Sequence, residues 1–284
     1  MNKEQETWTI LKVLTWTKGY LAEKGVDNAR LEAEWLLAAA LGLERIGLYV
    51  NFDKPLGEAE LAACRGLVAR RARREPLQYI LGSQEFCGLE FAVAPGVLIP
   101  RHDTETLVAE ALRRAPAART VLEIGVGSGC IAVTLARSLP EAVVWGVDIS
   151  PEALALAWRN AERHGVRLTL AEGSLFEPFP GERFDLIVSN PPYIPTADLE
   201  SLQPEVRDGE PRGALDGGPD GLDCYRRLVP AALDHLTSGG WLLVEVGIGQ
   251  AEAVQEMFAR AGFGELFVAQ DPGRVDRVVG GNIH

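Results

Sequence analysis

Lysine disappears from this 284-residue chain after Lys54, and no glycine loop closes on Lys and Ser or Thr. That absence excludes the nucleotide triphosphate cradle of the P-loop classes. The four cysteines, Cys64, Cys87, Cys130 and Cys224, stand far apart. They have neither the paired spacing of a zinc site nor the density of a disulfide scaffold, so reduced thiols are expected. His102, His164, His235 and His284 lie near no acidic or cysteine cluster of ligand spacing, and no metal is expected. No apolar run approaches the roughly 20 residues that cross a bilayer. Met1 to Trp8 is polar and acidic, without the basic start and apolar stretch of a secretion signal. These absences together predict a cytoplasmic protein with no membrane contact. Internal repeats, low-complexity tracts and the G-x-S-x-G elbow of acyl transfer are missing as well.

Negative charge is what the chain has in excess. Its net charge of −12 argues against sequence-independent binding to nucleic acid, which works by neutralising phosphates. The excess is uneven, because residues 1–82 hold 12 Lys and Arg against 11 Asp and Glu. Within that near-neutral front segment, Arg70, Arg71, Arg73 and Arg74 cluster. The cluster reads as a solvated helix end, with a docking patch as the alternative.

Residues 4–75 are helical in pattern. Trp8, Leu11, Leu14 and Trp16 lead, Leu31, Trp35, Leu36 and Leu37 follow, and Leu61, Leu67 and Val68 close the set, with breaks at Gly25–Asp27, Gly42 and Lys54–Gly57. Pro76 to Pro100 shifts to strand-like runs at Glu90–Val93 and Val97–Ile99, divided by Pro95–Gly96, which predicts a β-hairpin. From Arg101 onward the two periods alternate. Strands are expected at Thr120–Ile124, Val143–Val147, Arg167–Ala171, Phe184–Ser189, Trp241–Val246, Glu265–Gln270 and Arg277–Val279. Helices are expected at Thr104–Arg114, Cys130–Ser138, Pro151–His164, Gly221–Leu236 and Gln250–Ala261. The expected class is α/β: a doubly wound, mostly parallel seven-stranded sheet, with ligands at the carboxyl ends of its strands. Residues 1–82 would form a helical bundle, 83–100 a connecting β-hairpin and 101–284 the sheet domain.

The sharpest local signal is the run Val121 to Cys130, a buried strand entering a glycine turn that opens a helix. Gly125, Gly127 and Gly129 allow a ligand to approach the backbone where a Cβ would collide. The spacing is G-x-G-x-G, and Cys130 stands where the dinucleotide fingerprint needs its third glycine. The next strand ends in Asp148, an acid placed to accept hydrogen bonds from both hydroxyls of a ribose, or else to cap the turn. Ser150 then reads as an N-cap with Pro151 at the first helical position. The third strand ends at Gly173–Phe176, which could flank an adenine. A nucleoside ligand without phosphates, such as S-adenosyl-L-methionine, suits this set.

After the strand Phe184–Ser189 comes Asn190-Pro191-Pro192-Tyr193. Two prolines cannot donate ladder bonds, so pairing stops and the Pro191 carbonyl is left free on a stiff backbone. The Asn190 side-chain oxygen supplies a second acceptor. Two fixed acceptors suit a planar NH2, and Tyr193 could cover it. An amide nitrogen is a poor nucleophile, and gripping both its protons positions it while stabilising the charge that develops there. Three rivals stay open at this level: an amino-methyltransferase acting on DNA or RNA, a nicotinamide-dependent oxidoreductase, and a scaffold without activity.

In its motifs and their order the chain resembles the HemK/PrmC glutamine methyltransferases of release factors, over almost its whole length. The segments that carry the resemblance are Pro76–Gly82, Ile99–Glu105, Glu210–Gly218, Asp220–Tyr225, Glu245–Gln250 and Asp276–Val279, together with Asn190–Tyr193. The resemblance implies methylation of the side-chain nitrogen of the glutamine in the Gly-Gly-Gln motif of peptide chain release factors. It implies that Asn190 and Pro191 grip that amide while Pro192 and Tyr193 shape its pocket. Gly125, Val126, Gly127, Ser128, Gly129, Asp148, Leu175 and Asn190 would hold the cofactor, and the helical domain would dock the release factor. A monomer with no direct nucleic-acid contact is expected. Four positions depart from the family pattern. Glu123 replaces Asp, Val126 replaces Thr, His102 replaces Pro, and Ser174 replaces an acid.

Overall fold

Apolar side chains recurring every three to four residues assemble the front of the chain into helices. The computed structural model describes residues 7–283. Residues 1–6, where the helical pattern was expected to begin, and His284 lie outside the described residues. Contacts divide the protein into two units, one of Met1–Gly82 with Pro204–Gly209, the other of Ser83–Gln203 with Glu210–His284.

The first unit holds α1 (Ile10–Glu23), α2 (Ala29–Leu41), α3 (Arg45–Val50), α4 (Glu58–Ala72) and α5 (Leu77–Leu81). Thr9 caps α1 by accepting the Lys12 N–H, and Gly42 closes α2 in the left-handed conformation. The buried stripe of α1 is Ile10, Val13, Thr17 and Leu21, which turns Leu11 and Trp16 outward. Trp16 is 50% exposed and stacks on Tyr20, and Trp35 is 43% exposed with Arg45 over its ring. The apolar residues expected to form one face therefore divide between a core and an aromatic surface.

Three of the four clustered arginines are paired, and Arg73 is exposed. Arg71 is 2% exposed and is held between Glu32 and Glu205, while Arg74 also pairs with Glu205 and Arg70 with Glu75. Glu205 comes from a segment far along the chain, so no local pattern could reveal this neutralisation.

The second unit opens with an antiparallel hairpin of β1 (Ser83–Phe86) and β2 (Leu89–Ala92). Its turn is Cys87–Gly88, with φ of 49° and 70°, a pair that suits the tight turn between twisted strands. The expected division at Pro95–Gly96 is thus displaced toward the N-terminus, because Cys87 adopts a left-handed φ rarely taken by non-glycine residues. Val97 packs instead on Ala153 and Leu156, and the Ile99 N–H donates to Glu210.

Then follow α6 (Glu105–Arg114), β3 (Thr120–Ile124), α7 (Cys130–Ser138), β4 (Val143–Asp148), α8 (Pro151–Arg163), β5 (Leu168–Glu172) and β6 (Phe184–Ser189). Beyond α9 (Pro204–Arg207), which belongs to the first unit, come α10 (Asp223–Ala232), β7 (Leu236–Glu245), α11 (Ala251–Ala261), β8 (Gly264–Gln270) and β9 (Asp276–Asn282). The sheet runs β5-β4-β3-β6-β7-β9-β8, parallel except at β9, which is antiparallel to both β7 and β8. This is the seven-stranded, doubly wound architecture that the alternating periods predicted. One core cluster, with Leu107, Val121, Ile131 and Leu135, covers one face, and another, with Leu122, Ile187, Tyr225 and Phe258, covers the other. Among the described residues no helix is long and apolar enough to cross a membrane.

Candidate active site

Strands β3, β6 and β7 end side by side, with Ile124 opposite Ser189 and Ser189 opposite Val244. This register sets the glycine turn after β3, Asn190 after β6 and Glu245 at the end of β7 along one edge. A cavity of about 790 Å³ opens there, lined among others by Gly125, Val126, Gly127, Ser128, Asp148, Leu175, Asn190, Pro191 and Pro192.

The glycine turn is held from several directions. Gly125 and Val126 donate their N–H groups to the Val147 carbonyl at 2.8 and 3.0 Å. Gly129 is absent from the lining; it sits at φ +80°, and a Cβ there would meet Ala157 at 3.0 Å. Its role is the close packing of α7 on α8. Asn160, fully buried in α8, donates to the Ser128 carbonyl at 2.8 Å and exchanges two bonds with the Ala92 backbone. Glu123, fully buried on β3, accepts the Ala132 N–H at 2.8 Å and so caps the first turn of α7. Burial holds its carboxyl well above the usual range, and the neighbouring Asp148 adds to the rise.

Asp148 takes the Gly127 N–H on Oδ2 at 2.9 Å and the Ser150 N–H on Oδ1 at 3.0 Å. It therefore shapes the turn, yet a carboxylate has about four lone-pair sites, and two remain for hydroxyls at the cavity wall. Ser150 caps α8 through the Ala153 N–H, with Pro151 in its first turn. Leu175 holds a φ of +53°, a strained setting for a branched side chain that presents it at the wall. Beside it, Ser174 Oγ accepts from Arg227 at 3.1 Å.

At the other end, neither Asn190 Oδ1 nor the Pro191 carbonyl takes a hydrogen bond from the described residues. Asn190 instead donates Nδ2 to Thr104 Oγ1 at 3.1 Å. Tyr193 lies outside the lining. Its hydroxyl donates to Glu245 Oε1 at 3.3 Å and its carbonyl accepts from Gln250 at 2.8 Å, while burial, first of all, raises its phenol. Gly221, at φ +75°, passes so close that a Cβ would lie 2.2 Å from the Tyr193 carbonyl oxygen. Cys130 and Cys64 are buried and free, and burial pushes both thiols up, away from reactivity.

Thr104, Glu245 and Gln250 lie in segments that carry the family resemblance, which assigns them no role in the site. Asn160 lies in none of those segments and left only a faint trace, an amide on the apolar stripe Ala153, Leu156, Ala157 and Ala161 of α8.

Comparison with known proteins agrees with this geometry. Residues 12–82 match the family model described as PrmC N-terminal domain, and residues 94–202 match that described as methyltransferase small domain. A release factor glutamine methyltransferase of Geobacter sulfurreducens is 74% identical over 283 residues, covering 100% of both chains. The chain belongs to the release factor glutamine methyltransferase family. A Moorella thermoacetica relative of the same name is 47% identical over 85% of this chain and 86% of its own. Among solved structures, the hMettl16 catalytic domain shares the fold with a TM-score of 0.55 at 15% identity, over 77% of this chain and 81% of that one. A methyltransferase from Pyrococcus furiosus does so with a TM-score of 0.50 at 18% identity, over 77% of this chain and 98% of that one. As a member of the release factor glutamine methyltransferase family, the chain is an S-adenosylmethionine-dependent enzyme. Its cavity suits that cofactor, with glycines at the approach and a carboxylate keeping lone pairs for a ribose.

Proposed function

We propose that the chain methylates the side-chain amide nitrogen of the glutamine in the Gly-Gly-Gln motif of peptide chain release factors. The observation that carries the reading is that Asn190 and Pro191 line the same cavity as Asp148 and the glycine turn, while neither Asn190 Oδ1 nor the Pro191 carbonyl takes a hydrogen bond from the described residues. When bound, S-adenosylmethionine supplies an electrophilic methyl group carried on a sulfonium. Gly125, Val126, Gly127, Ser128, Asp148, Leu175 and Asn190 hold it, with Gly129 keeping the turn packed.

Asn190 and Pro191 accept hydrogen bonds from both N–H groups of the glutamine amide, and one of those protons leaves to water after the nitrogen has gained its methyl group. This grip aims the nitrogen lone pair and stabilises the positive charge that grows on it, so no general base of matched pKa is required at the transfer step. Pro192 forms the adjoining wall, and Tyr193 stiffens the acceptors from behind through Glu245 and Gln250.

Residues 1–82 serve as the docking domain, 83–100 as the hairpin linker and 101–284 as the methyltransferase domain. The outward Leu11, Trp16, Leu31 and Trp35 give the helical unit an apolar surface of the kind that protein partners cover. The enzyme works as a cytoplasmic monomer, with no direct contact to nucleic acid or membrane. Its net charge of −12 supports the first of those exclusions. Peptide mass mapping of a release factor after incubation with enzyme and cofactor should find one methyl group on the glutamine of the motif. Methyl label on duplex DNA and none on the factor would overturn the reading.

A further inference from the structure

An asparagine side chain is nearly symmetric in shape, and a half-turn about its last bond exchanges the oxygen for the nitrogen. A flipped Asn190 would present NH2 to the substrate's own NH2 and lose the grip. Something must therefore forbid the flip. The neighbour that Asn190 touches is the Thr104 hydroxyl, 86 residues away in sequence, 3.1 Å from Nδ2 and itself 2% exposed. A hydroxyl alone cannot forbid it, because it donates as readily as it accepts.

The missing direction lies one residue further back. Glu245 is 1% exposed, and its Oε1 accepts the Tyr193 hydroxyl. Its Oε2 is buried with no hydrogen-bond partner among the described residues, and Thr104 is among the groups that hold the Glu245 carboxyl down against burial. An ionised carboxylate only accepts. The Thr104 proton then has one destination, and its oxygen lone pair one customer, the Asn190 NH2. We infer that Thr104 and Glu245 are a positioning pair that fixes the Asn190 amide with its oxygen toward the substrate. This inference rests on the reading of Asn190 as a substrate acceptor.

The direction lasts only while Glu245 is ionised. Burial pushes its carboxyl up to about 7, against the opposing influence of Thr104, Arg277 and Tyr193. Arg277 reaches it from β9, Asp103 from the turn before α6, Tyr193 from the segment after β6 and Tyr225 from α10. Below that pH a protonated Glu245 can donate, and Thr104 loses its bias. Turnover should therefore fall as pH drops through about 7.

The test measures kcat on a release factor and S-adenosylhomocysteine affinity for the wild type, Thr104→Ser, Thr104→Val and Glu245→Gln, from about pH 6 to about pH 9. Thr104→Val should lose about 10- to 100-fold in kcat with cofactor affinity kept, and Thr104→Ser should restore most of it. Glu245→Gln should give a lower rate that no longer falls toward acid. Equal kcat in Thr104→Val and the wild type overturns the pair. A wild type that leaves release factor unmethylated overturns the proposed function instead, and a substrate-free readout still decides the pair. The side-chain NH2 resonance of Asn190, identified by its loss in Asn190→Asp, should move as Glu245 titrates and stop moving in Thr104→Val and Glu245→Gln. A resonance indifferent to both substitutions sinks the inference.

Discussion

The two ends of the cavity are built by different means. At the proposed cofactor end the glycine turn and the Asp148 carboxylate lead, and most of their supports are near neighbours in adjacent parallel strands. Asp148 is tied by the N–H groups of Gly127 and Ser150, and the turn leans on the Val147 carbonyl. At the proposed acceptor end the Asn190 amide stands beside the Pro191 carbonyl and is bonded to Thr104, while Tyr193 is bonded to Glu245, so the groups around it are gathered from separated stretches of chain. Each end also keeps one buried carboxylate raised by desolvation, but Glu123 caps a helix while Glu245 faces hydroxyls. A backbone site is robust because its geometry is secondary structure; a side-chain site needs an outer layer to choose among rotamers.

The contrast can be broken by substitution. Asn190→Ala should have the largest effect, a loss of about a thousandfold in kcat, with S-adenosylhomocysteine binding partly retained in a calorimetric titration. Unchanged turnover would remove Asn190 from the chemistry and erase the difference between the ends. Next is the linkage of Glu245 to stability. Its folded pKa of about 7 exceeds the ordinary 4.5, so the folded state keeps a proton that the unfolded chain releases. That stabilisation is full below the unfolded value and is lost as pH rises through the folded one. Urea midpoints should show Glu245→Gln gaining on the wild type by roughly 2 to 3 kcal/mol between pH 5 and pH 8. A constant difference at both pH values would refute the perturbed carboxyl.

Asp148→Ala should act at the opposite end, weakening cofactor affinity about 10- to 100-fold while kcat at saturating cofactor changes less. Equal losses in both parameters would show that the two ends are not separable. Smallest is Asn160→Ala, which removes three bonds around the Ser128 turn and the Ala92 strand. It should cost about 1 to 3 kcal/mol in thermal unfolding and raise the KM for cofactor, with release-factor KM unmoved.

Those effects follow how far each end was legible in the chain itself. The glycine turn, Asp148 and the Asn-Pro-Pro-Tyr run announce themselves because their constraints are local: positive φ, missing N–H groups, an acid at a strand end. The hairpin was misplaced because Pro95–Gly96 is a stronger turn signal than Cys87–Gly88, whose left-handed cysteine is visible only in the folded backbone. Arg71 looked exposed until Glu205 arrived beside it from 134 residues away.

What the sequence by itself determined is the alternation of strand and helix periods, hence the parallel sheet, and the chemistry offered at the strand ends. Tertiary structure alone decided which hydroxyl receives the Asn190 NH2, which carboxylates lose their water, and which aromatic rings of the helical unit stay outside. The physical reason is range. Backbone preferences act over a few residues, whereas burial and hydrogen-bond direction depend on groups that only folding brings within 3 to 4 Å.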